Sequence, residues 1–107
     1  MLEIAVSGEG DRRLLRLTGE LDMAGVDQFE RLLALDETAE GTTFVLDLRG
    51  LTFIDSSGLR TLIMADQRVR ANGGRLIVVR GSERVNEVLQ MTGVARRIEL
   101  VNEPPAD

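Results

Sequence analysis

The chain has 107 residues and a formal net charge of −5, with no Cys, His, Trp, Tyr or Lys, so that all thirteen basic residues are Arg. Without Cys or His it cannot build a zinc-type site or a disulfide framework, and without His or Lys it has no ordinary base to activate a serine nucleophile. Its acidic balance argues against nucleic acid as a partner, and no apolar run reaches the roughly 20 residues of a membrane span.

Leu2, Ile4 and Val6 alternate with Glu3 and Ala5, the period of a strand with one buried face. Ser7 to Asp11 is a turn-rich loop, and Arg12 to Thr18 carries Leu15 and Leu17 on one face with Arg12 and Arg16 on the other, which predicts a hairpin. Gly19 to Asp22 ends the second strand. Asp22 then stands as N-cap before a helix marked by Val26, Phe29, Leu32 and Leu33 that runs to about Leu35. Asp36 to Gly41 reads as a loop, and residues 42 to 48 as an almost uninterrupted apolar strand.

That strand contains one charge, Asp47. Two roles are open to it: a strand-end carboxylate facing solvent or a neighbouring loop, or a phospho-accepting aspartate of the receiver type. A receiver also needs an acidic metal-binding cluster near the N-terminus and a lysine, and this chain has no lysine.

The segment from Leu51 to Ala65 organises the rest. A polar corner, Asp55-Ser56-Ser57-Gly58, joins the apolar strand to a segment in which Leu59, Leu62, Ile63 and Ala65 recur at helical spacing. The corner is therefore a helix N-terminus, where Asp and Ser oxygens can satisfy unpaired amides. Ser57 is expected to be the cap and Ser56 to face outward beside the Asp55 carboxylate, with Gly58 leaving the approach clear. Arg60, Thr61 and Met64 fall opposite the apolar stripe, as a docking surface or a solvated face.

This helix continues to about Asn72, and Gly73-Gly74 supplies positive-φ residues that stop it. Asp66 and Arg70, spaced i,i+4, fall near the middle of the apolar arc and suggest a salt bridge where the helix end overhangs the sheet. Leu76 to Val79 is apolar on both faces, and reads as a central strand covered by helices on one side or both. Ser82 caps a short helix through Val85, Val88 and Leu89 that Thr92-Gly93 ends, and Ile98 to Val101 is a last short strand. Residues 1–102 make one domain, and 103–107, with Pro104 and Pro105, a short flexible tail.

The order β-β-α-β-α-β-α-β predicts a single α/β domain. Its mixed sheet starts with an antiparallel hairpin, continues in strand-helix units, and carries helices packed upon it. No enzyme, metal or cofactor is expected. With no basic segment leading into an apolar signal core, a soluble cytoplasmic protein is expected, without direct membrane insertion.

With these motifs in one frame, the chain resembles the STAS domain family, and within it the stand-alone anti-sigma factor antagonists. The residues that carry the likeness are Leu17-Thr18-Gly19-Glu20-Leu21-Asp22, Val45-Leu46-Asp47-Leu48, Phe53-Ile54-Asp55-Ser56-Ser57-Gly58-Leu59, Ala71-Asn72-Gly73-Gly74-Arg75-Leu76 and Met91-Thr92-Gly93-Val94. The resemblance implies that Ser56 is phosphorylated by a partner serine kinase of the GHKL type that also holds a sigma factor. Unphosphorylated protein would bind the kinase and release sigma, and a PP2C-like phosphatase would restore the bound form. By the same resemblance Asp22 and Asp55 match the acidic positions beside the phosphosite. Two departures stand out: Met23-Ala24-Gly25-Val26 replaces the Thr-Ala pair often found after the first acid, and the sequence stops soon after Val101, without the extra helix many antagonists carry.

A phosphate on Ser56 would add about −1.5 to −2 charges at a helix N-terminus, which tolerates anions, so the fold should survive it. Repulsion from Asp55 and Asp22 is expected to deny that charge a stabilising local partner, so its effect falls on the docked protein. The other reading keeps the domain but changes its setting, to a STAS subunit of a lipid-transport complex or a stress-sensing scaffold that acts by docking alone.

Overall fold

The computed structural model describes residues 1–35 and 40–105. Residues 36–39 of the expected loop and 106–107 of the expected tail lie outside the described residues. The elements follow the predicted order: β1 (Leu2–Ser7), β2 (Arg12–Leu21), α1 (Met23–Leu35), β3 (Thr43–Ile54), α2 (Ser56–Ala71), β4 (Arg75–Val79), α3 (Glu83–Met91) and β5 (Glu99–Val101). A 3-10 turn at Val94–Arg96, which the sequence reading did not anticipate, links α3 to β5.

The five strands lie in the order β1-β2-β3-β4-β5. β1 pairs with β2 antiparallel, and every later pair is parallel. Each parallel pair is joined through a helix, because two strands running the same way need a long crossover. The parallel strands follow one another in sequence across the sheet, and crossovers of constant hand that always advance in one direction place every helix on the same side.

Side-chain burial agrees with that geometry. Leu15, Leu17, Leu46, Leu48, Leu76 and Val78 point into one cluster with Phe29 and Leu33 of α1, Leu59, Leu62 and Val69 of α2, and Val85 and Leu89 of α3. Val45, Ile77 and Val79 point the other way, into a smaller cluster with Leu14 and Val101 and no helix residue. Among the described residues helices therefore cover one side of β4 and not both, while β4 lies inside the sheet between β3 and β5, as expected of a central strand. β4 is apolar on both faces because strand neighbours, rather than a second helical layer, cover Ile77 and Val79.

β3 is longer than predicted, and the register explains why. Arg16 pairs with Asp47 but Thr18 with Gly50, and Gly19 pairs with Leu51 but Glu20 with Phe53. Each shift inserts one extra residue into β3, and an extra residue reverses the alternation of faces. The core positions therefore step from Leu48 to Leu51 to Ile54 at intervals of three. A strict period of two loses the strand after Leu48.

Asp47 lies in mid-strand on the face away from the helices, and it is buried rather than facing solvent as expected. Arg49, two residues on and on the same face, donates Nε at 2.9 Å and Nη2 at 2.8 Å, while Arg16 of β2 lies at 3.6 Å. The Arg49 hydrogen bonds hold the Asp47 carboxyl below its usual range, against an opposing push from burial. Among the described residues no acidic cluster could hold a metal ion.

The chain after β5 turns back toward the hairpin. Asn102 Oδ1 accepts from Arg80 Nε at 3.0 Å, and the Pro105 carbonyl accepts from Arg12 Nη2 at 2.6 Å. At the far end of α2 only Gly73 has a positive φ, at 77°. Gly74 serves instead by having no side chain, since a Cβ there would stand 2.2 Å from the Thr42 carbonyl oxygen. Asp66 is buried nearby and accepts from Arg70 Nε at 3.2 Å, the expected i,i+4 pair.

Candidate functional site

β2 and β3 end side by side, with Leu21 opposite Ile54, and each runs straight into a helix through an aspartate. Leu21-Asp22-Met23-Ala24-Gly25 and Ile54-Asp55-Ser56-Ser57-Gly58 are two copies of one local solution. Asp22 Oδ1 accepts from the Gly25 amide at 3.2 Å, and Asp55 Oδ1 accepts from the Gly58 amide at 3.0 Å.

The N-cap of α2 is therefore Asp55 and not Ser57. β3 persists to Ile54, so Asp55, at φ −109° and ψ −174°, is the last extended residue, and an N-cap must be extended while its carbonyl already serves the helix. Its carbonyl accepts from Leu59 at 3.0 Å. Ser56 and Ser57 are already helical and cannot cap.

Gly58 has a different purpose from the one its sequence context suggests. It is buried, and a Cβ there would stand 2.3 Å from the Leu21 carbonyl oxygen, 2.8 Å from Ile54 Cγ1 and 3.0 Å from Leu21 Cγ. The first turn of α2 thus rests directly on the end of β2, and this close seat fixes where Ser56 stands.

Ser56 is exposed, as expected, and its hydroxyl makes no hydrogen bond among the described residues. Ser57 beside it is half-buried. Arg60 and Met64 follow Ser56 at i+4 and i+8, and all three are exposed, so they form one stripe along α2. Thr61 does not belong to this surface. It is buried, and with Leu33 and Ala65 it lines the seam where α1 packs beside α2. Of Arg60, Thr61 and Met64, expected on a docking or solvated face, Thr61 is the one buried, because a helix flanked by another helix buries a wider arc.

Two exposed apolar residues complete the surface and were missed. Met23, 75% exposed, is the first residue of α1, as Ser56 is of α2. Reading the two Asp-x-x-Gly corners as a pair would have found it. Phe53, 43% exposed, is turned outward by the extra residue at Thr52, and with Arg84, Val85 and Val88 it lines a cleft of about 170 Å³ beside α3. Period-two alternation would have placed Phe53 on the same face as the buried Leu51.

Two acids mark the corner, and the Met1 ammonium, paired with Glu20 at 2.8 Å, also acts on Asp22. Neither Asp22 nor Asp55 forms an ion pair among the described residues, and both are half-buried at the ends of adjacent strands. Each helix N-terminus stabilises its carboxylate through an amide and the helix dipole. The arrangement offers an accessible hydroxyl on a rigid seat, an apolar rim and two capping acids. The chain has no His, Cys or Lys that could activate that hydroxyl.

Comparison with known proteins follows the same lines. The STAS domain family model matches residues 3–104. An anti-sigma F factor antagonist of Lysinibacillus sphaericus is 33% identical over 82 residues, spanning 76% of this chain and 70% of its own. The anti-sigma factor antagonist SpoIIAA in its unphosphorylated form superposes with a TM-score of 0.74 at 23% identity, covering 95% of this chain and 90% of that one. The Bacillus cell fate determinant SpoIIAA in its phosphorylated form superposes with a TM-score of 0.71 at 25% identity, covering 94% and 93%.

Proposed function

This chain belongs to the STAS domain family, and on that premise we propose that it is an anti-sigma factor antagonist whose binding is switched by phosphorylation of Ser56. It acts as a binding protein and not as a catalyst, in the cytoplasm. The unmodified chain docks on an anti-sigma serine kinase of the GHKL type and frees the sigma factor. The kinase transfers a phosphoryl group to Ser56, the complex dissociates, and a PP2C-like phosphatase restores the docking form.

The observation that supports this reading most is the exposed Ser56 hydroxyl on the first turn of α2, in a corner carried by a whole-domain family match. The docking surface comprises Asp22, Asp55, Ser57, Arg60 and Met64, with Met23 and Phe53 as its apolar rim, while Gly58 seats the helix that carries Ser56. A phosphate at its centre has to be desolvated without a partner on the docked protein, at a cost of about 2 to 5 kcal/mol if it resembles other broken buried charge contacts.

The experiment is incubation of the chain with candidate kinases of the same genome and ATP, followed by mass spectrometry of the peptide spanning residues 50–60. A single added phosphate on Ser56 is expected. Modification at Ser57 or Thr52 alone, or none with any kinase that binds the chain, would overturn the assignment.

A further inference from the structure

Arg60 bears on what a phosphate at Ser56 would meet. The sequence reading leaves that phosphate without a stabilising local partner, since Asp22 and Asp55 both stand close to it. Yet Arg60 lies one helical turn below Ser56 on the same exposed stripe, and its guanidinium makes no hydrogen bond or ion pair among the described residues. Residues four apart on a helix have Cβ atoms about 5 to 6 Å apart, and an anion N-terminal to a cation at that spacing is the favourable order. Guanidinium is also the side-chain cation best matched to phosphate oxygens.

We propose that Arg60 captures the Ser56 phosphate within the same chain. The inference rests on the reading of Ser56 as the phosphosite and adds a second effect to the modification. The phosphate introduces negative charge at the docking surface, and it also withdraws the one cation of the Ser56 stripe from any acidic group on the partner. Asp55 from the α2 cap and Asp22 from the α1 cap face the phosphate and oppose its second ionisation, and Arg60 favours it. Arg84 lies beyond, across the Phe53 cleft.

The test installs phosphoserine at position 56 of the full chain during translation, so that no kinase is needed, and follows the second ionisation of the phosphate by phosphorus NMR. The unsubstituted chain is expected to titrate about 0.3 pH unit below the Arg60→Gln variant, corresponding to an i,i+4 pair of about 0.4 kcal/mol. Arg60→Lys, which keeps the charge, is expected to restore most of the difference, and 1 M salt to close it. Coincident titrations of the unsubstituted chain and Arg60→Gln would overturn the capture. A chain that no kinase modifies at Ser56 would instead refute the proposed function and leave this titration unchanged.

Discussion

Replacing Gly58 by Ala separates two opposite expectations for the α2 N-terminus. On helix propensity alone the change is favourable by about 0.5 to 1 kcal/mol, since Gly loses more backbone freedom than Ala. The packing opposes it: the new Cβ would lie 2.3 Å from the Leu21 carbonyl oxygen, where anything under 3.0 Å forces a shift. The obstructing atom is main chain at the end of a strand, so relief means moving α2 away from β2 by the missing 0.7 Å (3.0 − 2.3) or more. Overpacking of this kind costs about 1 to 3 kcal/mol, and an unyielding neighbour places it at the upper end. The net is a loss of about 2 kcal/mol, or a fall in Tm of about 8 to 16 °C for a domain of this size. Urea unfolding monitored by circular dichroism would measure it. Gly10→Ala serves as a control, because it meets no atom within 4 Å and is strained only by a φ of 63°. A Gly58→Ala protein as stable as the parent would refute the account of why this corner needs glycine.

Three other expectations follow from the same geometry. Asp55→Ala removes the side-chain cap of α2 and is expected to cost about 1 kcal/mol by urea denaturation, with Asp55→Ser recovering most of it; a neutral Asp55→Ala would mean that the Gly58 hydrogen bond contributes nothing. Asp47 has a folded-state pKa below its unfolded value, so its stabilisation is fully present above the ordinary carboxyl range of about 4 and is lost as pH falls through the lower folded value. Unfolding free energy should fall with acid below about pH 4 more steeply in the parent than in Asp47→Asn, and parallel profiles would contradict the role given to Arg49. Arg49→Gln removes two charge-assisted hydrogen bonds from the buried Asp47 carboxylate while leaving Arg16 nearby, and a loss of about 2 kcal/mol is expected from thermal unfolding.

The sequence made the element order legible because most segments carry a recognisable period and a capping or turn residue at an end. Asp22, Ser82 and Gly93 mark boundaries where expected, with Gly93 at a φ of 82°. What stayed hidden depends on neighbours in space. The two insertions in β3 are invisible to alternation because they exist only relative to β2, and they decide that Leu51 and Ile54 are core and Phe53 is surface. The choice of Asp55 over Ser57 as cap follows from how far β3 runs. Asp47 looked like a surface acid because its cation, Arg49, sits two residues away on the same strand face, a pairing that a strand reading seldom considers. Met23 acquires meaning only when α1 and α2 are seen to start side by side. In the structure Ser56 is exposed, and Asp22 and Asp55 cap the two adjacent helices.

The central claim is tested most directly by isothermal titration of the anti-sigma partner with the chain in two forms, unmodified and carrying phosphoserine at position 56. The account predicts tight binding of the first form. It predicts an affinity for the second that is lower by about 30-fold to several thousand-fold, the equivalent of about 2 to 5 kcal/mol. Equal affinities for the two forms would contradict it.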